Sequence, residues 1–304
     1  MSCDLQTTHY KTLLKEFTNY LRILGYSPGT VKLLPGYVKE FLISQEQKSL
    51  SGKGLRVTDI TPADIQLHYE YLQNRPNKTQ GGALSASIIT SHLFALRIFF
   101  KWLEQAEIIH SNPISSLNFP YPEYQYRTAL TQEEITKIYE ATETLRDKAM
   151  LGLFYGCGLR RAEAEKLNTE DIKLREKILI VREGKGYKRR VIPLAEKVKD
   201  DLENYYLNER QFYIASPHLG GHRGAFMLNN KGERMTRNSY YPRLKYLLKK
   251  AGIEQKICLH QLRHSIATHL LEQGMSIEKV RDFLGHKYID TTQRYTHVNQ
   301  LKLF

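Results

Sequence analysis

Apolar residues recur at helical spacing from Tyr10 onward, and the recurrence breaks off at Asn112-Pro113, Pro120 and Pro122. Proline has no amide N–H and pushes the residue before it into extended backbone, so no regular element is expected to cross residues 111–126. A chain of 304 residues is also long enough to close two apolar cores. The sequence therefore predicts two domains, residues 1–115 and 127–304, with 116–126 as a linker.

The first domain reads as four helices. Leu13, Leu14, Phe17, Leu21 and Leu24 form a stripe that stops at Gly25. Ser27 can cap a second helix, with Pro28 as its first residue and Val31, Leu34, Val38 and Phe41 inward, although Pro35 strains its middle and residues 44–53 read as a polar loop. Thr61-Pro62-Ala63-Asp64 repeats the signal for a third helix running toward Arg75. Residues 85–107 form the longest helix, with Ile89, Leu93, Leu96, Phe100 and Leu103 inward. Its other side carries Ser87, Ser91, Arg97 and Lys101, which together with Thr30 and Lys32 on the second helix are candidates for following a phosphate backbone.

In the second domain Thr131 and Glu134 make a capping box. Gly156 and Gly158 predict a tight backbone around Arg160, with Glu163 one helical turn on to orient it. Residues 177–182 and 190–193 read as two strands joined through Glu183-Gly-Lys-Gly-Tyr-Lys-Arg189, a hairpin with Lys185 at or near its tip. Residues from Thr236 open a basic helix whose Arg237, Asn238, Tyr240 and Arg243 are candidates for entering a major groove. The fold class predicted is mainly α with one small β-sheet: a four-helix N-terminal domain and an α+β C-terminal domain.

The densest chemistry lies between Leu259 and Tyr295. His260 and Arg263 are three apart on a predicted helix that Gly274 ends, so they project from one side and reach a common ligand. Ser276 caps a second short helix closed by Gly285, His286 follows at once, and Asp290 can cap a third that carries Tyr295. This set describes an anion site beside a phenolic nucleophile. His260 and His264 also have the spacing of a zinc-binding HExxH, but Gln261 stands where the general base belongs and Arg263 would set a cation beside the metal.

Residues 1–115 carry 12 Lys+Arg against 9 Asp+Glu, and residues 116–304 carry 33 against 23. The larger half is thus strongly basic and suits a polyanion, most commonly nucleic acid. Cys3, Cys157 and Cys258 show no paired spacing, which fits a reducing cytoplasm rather than a disulfide framework. No signal peptide, membrane-spanning run or ATP-binding GxxxxGK[ST] is expected.

In order along the chain, GLRxxE, the glycine-flanked Lys185, HxLRH, LGH and a tyrosine nine residues after that histidine resemble the tyrosine recombinase and phage integrase family, nearest to its compact Xer-like members. The match is specific over residues 150–297 and looser over 1–110, where the helices resemble the family's SAM-like core-binding domain. The resemblance implies Arg160, Lys185, His260, Arg263 and His286 as the active-site set, Tyr295 as nucleophile, no cofactor or metal, and double-stranded DNA with a specific recombination site as partner. It further implies a homotetramer on two such sites and strand exchange through a 3′-phosphotyrosine, serving integration, excision, inversion or dimer resolution. A type IB topoisomerase would use the same chemistry without partners, and a non-catalytic DNA-binding protein would share the basic charge. Arg161-Ala162 and Cys157 depart from the family's usual residues around the first arginine. The segment after Tyr295, with apolar Val298, Leu301, Leu303 and Phe304, is expected to dock on a neighbouring subunit.

Overall fold

The computed structural model describes residues 10–48, 56–77, 81–120, 128–182, 189–215, 224–255 and 257–285. The chain divides into two compact units, residues 1–125 and 126–304.

The first unit holds four helices, α1 (Tyr10–Ile23), α2 (Pro28–Lys48), α3 (Pro62–Asn74) and α4 (Ala86–Gln105). Side-chain caps start α2, α3 and α4. The Ser27 hydroxyl accepts from the Thr30 amide at 3.3 Å. Thr61 and Asp64 close a reciprocal box, the Thr61 amide donating to Asp64 Oδ2 at 3.0 Å, and Ser85 accepts from the Ile88 amide at 3.4 Å. Pro35 lies inside α2 without ending it, and α2 runs on to Lys48 through the expected loop at residue 44. The reason is local: Ser44 Oγ donates to Phe41 O at 2.7 Å, and Gln45 is buried, so polar side chains are spent within the helix.

α4 is long and apolar enough to cross a membrane by length and composition alone. Its apolar side is instead occupied by the core, where Leu93, Leu96, Phe99, Phe100, Trp102 and Leu103 meet Leu13 and Phe17 of α1 and Val38 and Phe41 of α2. Phe17 meets Phe99 edge-on with ring centroids 5.3 Å apart, and Phe41 meets Phe100 likewise at 5.9 Å.

The second unit comprises α5 (Gln132–Glu140), α6 (Leu145–Leu151), which a π turn over Gly152–Gly156 prolongs, and α7 (Arg161–Lys166). A three-stranded antiparallel sheet follows in sequence order, β1 (Ile172–Lys173), β2 (Ile178–Val181) and β3 (Arg190–Pro193). Then come α8 (Glu196–Asn204), α9 (Arg210–Ala215), α10 (Arg237–Lys250), α11 (Leu259–Glu272) and α12 (Ile277–Leu284). In the hairpin Leu179 opposes Ile192 and Ile180 opposes Val191, which sends Leu179 and Ile192 into the core. α11 runs through this unit's interior: Leu262 and Ala267 are buried, and so are Gln261, Arg263, Ser265, Thr268 and His269. Ser265 Oγ accepts from the Leu130 amide at 2.9 Å and donates to Gln261 O at 2.8 Å, which ties the start of the unit to this helix.

A histidine in the first core makes that unit sensitive to acid. His92 on α4 is buried against Tyr37, ring centroids 4.0 Å apart, near His68, Glu40 and Arg75. Burial, and then the charge of Arg75, lower its pKa to about 4 from the ordinary 6.5. The unfolded chain therefore takes up a proton that the folded unit refuses, and stability falls as pH drops from 6.5 to 4, by at most about 3 kcal/mol. Urea unfolding followed by the fluorescence of Trp102, the only tryptophan, should show a difference between His92→Phe and wild type that moves in the variant's favour across that window.

Candidate active site

Arg160 directly precedes α7, in extended backbone, after a Gly158 whose φ of +57° needs glycine. Space requires it too: a Cβ on Gly158 would sit 2.9 Å from Leu284 Cδ2. Glu163, in the first turn of α7, turns back on Arg160, its Oε2 accepting from the Arg160 amide at 2.8 Å and its Oε1 from Arg160 Nη1 at 2.8 Å. The orienting role expected of Glu163 is thus visible as paired contacts. The Arg160 side chain keeps 22 % of its surface open, enough for a ligand to approach.

Arg190, the first residue of β3, grips the same carboxylate. Its Nη1 donates to Glu163 Oε1 at 2.9 Å and its Nη2 to Oε2 at 2.8 Å. Burial alone would raise the Glu163 carboxyl, but hydrogen bonds and charge from Arg190, followed by the Arg160 contacts, hold it at about 2. Arg263 reaches the cluster from α11, with Nη1 4.0 Å from Glu163 Oε2. It is wholly buried, donating from Nη1 to Gly158 O and from Nη2 to Leu284 O at 2.5 Å. Arg160 Nη2 donates to Gly285 O at 3.0 Å and Arg190 Nε to Phe283 O at 3.1 Å.

His260, in the first turn of α11, is exposed. Lys185, His286 and Tyr295 lie outside the described residues, as do the predicted helix after Asp290 and the C-terminal segment. The structure thus brings Arg160 and Arg263 around one carboxylate and adds Arg190, which the sequence offered only as the start of a strand. The signal that could have found it is its place at the base of the Lys185 hairpin, two residues from a core-facing Ile192.

Among the other candidates, Lys32, Ser87 and Lys101 are exposed, and Thr30, Ser91 and Arg97 are half-buried. Lys32 and Ile88 line one groove of about 570 Å³, which sets the starts of α2 and α4 side by side. The expectation for α10 needs correcting. Tyr240 is wholly buried, its ring edge-on to Phe154 at 5.0 Å and its hydroxyl donating to Ala164 O at 3.4 Å, so it belongs to the core. With Leu244, Leu247 and Leu248 it forms the apolar stripe of that helix. Arg243 spends its fork on the buried Asp147, Nε and Nη2 each 2.6 Å from a carboxylate oxygen, with Glu143 at 3.3 Å. Asn238, Tyr241, Lys245 and Lys249 are exposed residues of α10 that remain for an outside partner, and Arg237 opens the helix.

Residues 128–302 match the model of the phage integrase family, and residues 13–110 match that family's N-terminal SAM-like domain. This chain belongs to the phage integrase family. It is 32% identical over 297 residues to the tyrosine recombinase XerD of Oceanobacillus iheyensis, a match covering 95% of each chain. With the tyrosine recombinase XerD of Listeria innocua it shares 36% identity over 276 residues, 83% of this chain and 91% of that one. The fold resembles that of the Tn1549 transposon integrase solved in complex with a circular intermediate DNA, at 18% identity and a TM-score of 0.70 over 96% of this chain and 99% of that one. The mainly helical chain with one small sheet, a SAM-like N-terminal domain and a C-terminal catalytic domain is the architecture of this integrase family.

The two arginines should fail differently when removed. Arg160→Ala should leave the melting temperature near that of the wild type, since Arg190 still pairs Glu163. Its cost should appear in DNA cleavage, at roughly 3 to 4 kcal/mol of transition-state stabilisation. Arg263→Ala should in addition destabilise the unit by several kcal/mol, on the order of 3 to 5, because buried carbonyls and a carboxylate lose a buried partner. Thermal unfolding beside single-turnover cleavage separates the two.

Proposed function

We propose that this protein is a site-specific tyrosine recombinase that cuts and rejoins DNA strands through a 3′-phosphotyrosine at Tyr295. The observation that carries this reading is the pair Arg160 and Arg263 gathered at one buried carboxylate in a member of the phage integrase family. The solved relative with bound circular intermediate DNA supports double-stranded DNA as the partner.

The chemistry follows from the charges. Attack of a phenol on a phosphodiester makes phosphorus pentacoordinate and adds negative charge to its non-bridging oxygens. A guanidinium answers that charge with paired hydrogen bonds and stays ionised at any working pH. Arg160 has surface open to do so now. Arg263 does so once the phosphate replaces the carbonyls of Gly158 and Leu284 as acceptor. His260 and His286 hydrogen-bond the phosphate or take the Tyr295 proton, which an unperturbed phenol with a pKa of about 10 otherwise keeps. Lys185 protonates the departing 5′ oxygen. The phosphotyrosyl diester conserves the energy of the broken bond, so a 5′ hydroxyl from a second strand reverses the step without ATP. Strand exchange then needs two sites held together, for which we propose a homotetramer, with the segment ending in Leu301, Leu303 and Phe304 seated on a neighbouring subunit. The target site would be read by sequencing DNA trapped covalently on the protein, and the reducing cytoplasm is the compartment proposed for this reaction.

On nicked DNA that carries the target site and traps the cut state, the wild type should accumulate a covalent adduct, with or without EDTA, and Tyr295→Phe should form none. An undiminished adduct in that variant would remove Tyr295 from the role.

Lys185→Ala should cleave ordinary DNA poorly yet recover on a 5′-bridging phosphorothioate, because a thiolate leaves without protonation. Failure to recover, with binding intact, would make the lysine a binding residue instead.

A further inference from the structure

Arg190 stands outside the active-site set assigned above, yet it is the residue that joins the parts of that set. Its side chain is only 8 % exposed, and its three guanidinium nitrogens are all engaged. Two take the two oxygens of Glu163, and the third donates to Phe283 O on α12. The stem of the same side chain underlies the end of α12: a Cβ on Gly285 would meet Arg190 Cδ at 2.9 Å and Nη1 at 3.1 Å. Gly285, with φ +64°, in turn accepts from Arg160 through its carbonyl, and His286 is the next residue in the chain.

We propose that Arg190 is a positioning residue for DNA cleavage: it neutralises Glu163 and holds the last turn of α12, so that the open part of the Arg160 side chain stays turned to the scissile phosphate. The proposal rests on the recombinase reading given above. Its logic is a competition for one carboxylate. Glu163 carries a single negative charge, which Arg160 and Arg190 share. Without Arg190 that charge falls on Arg160 and the more distant Arg263, 4.0 Å away, drawing the Arg160 fork inward and reducing the net positive charge offered to the phosphate by one. The α12 terminus loses an arginine at carbonyls that have no partner inside their own helix, where a cation is favoured. A lysine in place of Arg190 restores the charge but not the paired grip, since an ammonium is a point donor.

The experiment is single-turnover adduct formation on trapping DNA at saturating protein, comparing wild type, Arg190→Gln and Arg190→Lys on two substrates. One has an ordinary scissile phosphodiester; the other has a methylphosphonate there, which lacks the negative charge Arg160 must answer. Wild-type adduct that Tyr295→Phe abolishes tests the recombinase reading by itself, and its absence would sink that reading rather than this one. With that control in place, Arg190→Gln should cleave the phosphodiester roughly ten- to a hundred-fold more slowly, by analogy with the loss of residues that orient a metal site's ligands. Arg190→Lys should fall between the two. DNA affinity should change little, and the deficit should shrink on the methylphosphonate, as should that of Arg160→Ala measured alongside. An equal deficit on both substrates, or none, overturns the proposal, because a merely structural ion pair does not sense the charge of the phosphate. If Arg190→Gln fails to fold, Gly285→Ala, whose methyl presses on the Arg190 side chain without deleting it, should show the same substrate-dependent deficit, and a substrate-independent one overturns the proposal.

Discussion

The Glu163 carboxylate accepts hydrogen bonds from Arg160 and Arg190 and lies 4.0 Å from Arg263, while these three arginines also donate to the consecutive carbonyls of Phe283, Leu284 and Gly285. Four elements distant in sequence are thereby fixed to each other: the start of α7, the start of β3, the first half of α11 and the end of α12. A carboxylate so nearly buried is tolerated only because it is paired and hydrogen-bonded on both oxygens. The same arrangement leaves an excess of positive charge in one place, which is what a phosphoryl transition state calls for.

The arginines of the second unit divide between function and support. Arg243 is locked to Asp147, and the buried Arg210 donates to the carbonyls of Ala225 and Phe226. Arg234 bridges Glu165 O, Leu167 O and the Asn168 side chain. Part of the strong basic balance read from composition is therefore internal, spent on carboxylates and on backbone carbonyls that no regular element satisfies. The basic side chains available to a polyanion are therefore fewer than the 33 that residues 116–304 carry.

Local signals were legible where their chemistry is local. Ser27, Thr61, Thr131 and Ser276 each cap the helix that the sequence placed after them, because a cap needs only a hydroxyl and an amide three residues on. The hairpin strands followed from two short apolar runs on either side of a glycine-containing stretch, and the helix shared by His260 and Arg263 from its apolar stripe, although His260 is exposed and Arg263 buried. The two-residue β1 carries too short a pattern to be seen. Tyr240 misled because an aromatic beside Arg237 and Asn238 reads as surface until the stripe through Leu244 and Leu247 is given its partners in the core.

The sequence by itself determined the helical N-terminal unit, the strand pair, the glycines at the turns and the order of the site residues, since each depends on contacts within a few positions along the chain. Only the tertiary structure decided that Glu163 serves more than Arg160, that Arg263 is closed in by backbone carbonyls, and that Arg190 links the hairpin's second strand to the end of α12. Those are contacts across 21 to 105 positions. Which arginine meets a buried carboxylate, and which carbonyls share it, depends on how the helices and the hairpin pack, and no periodicity in the chain records that.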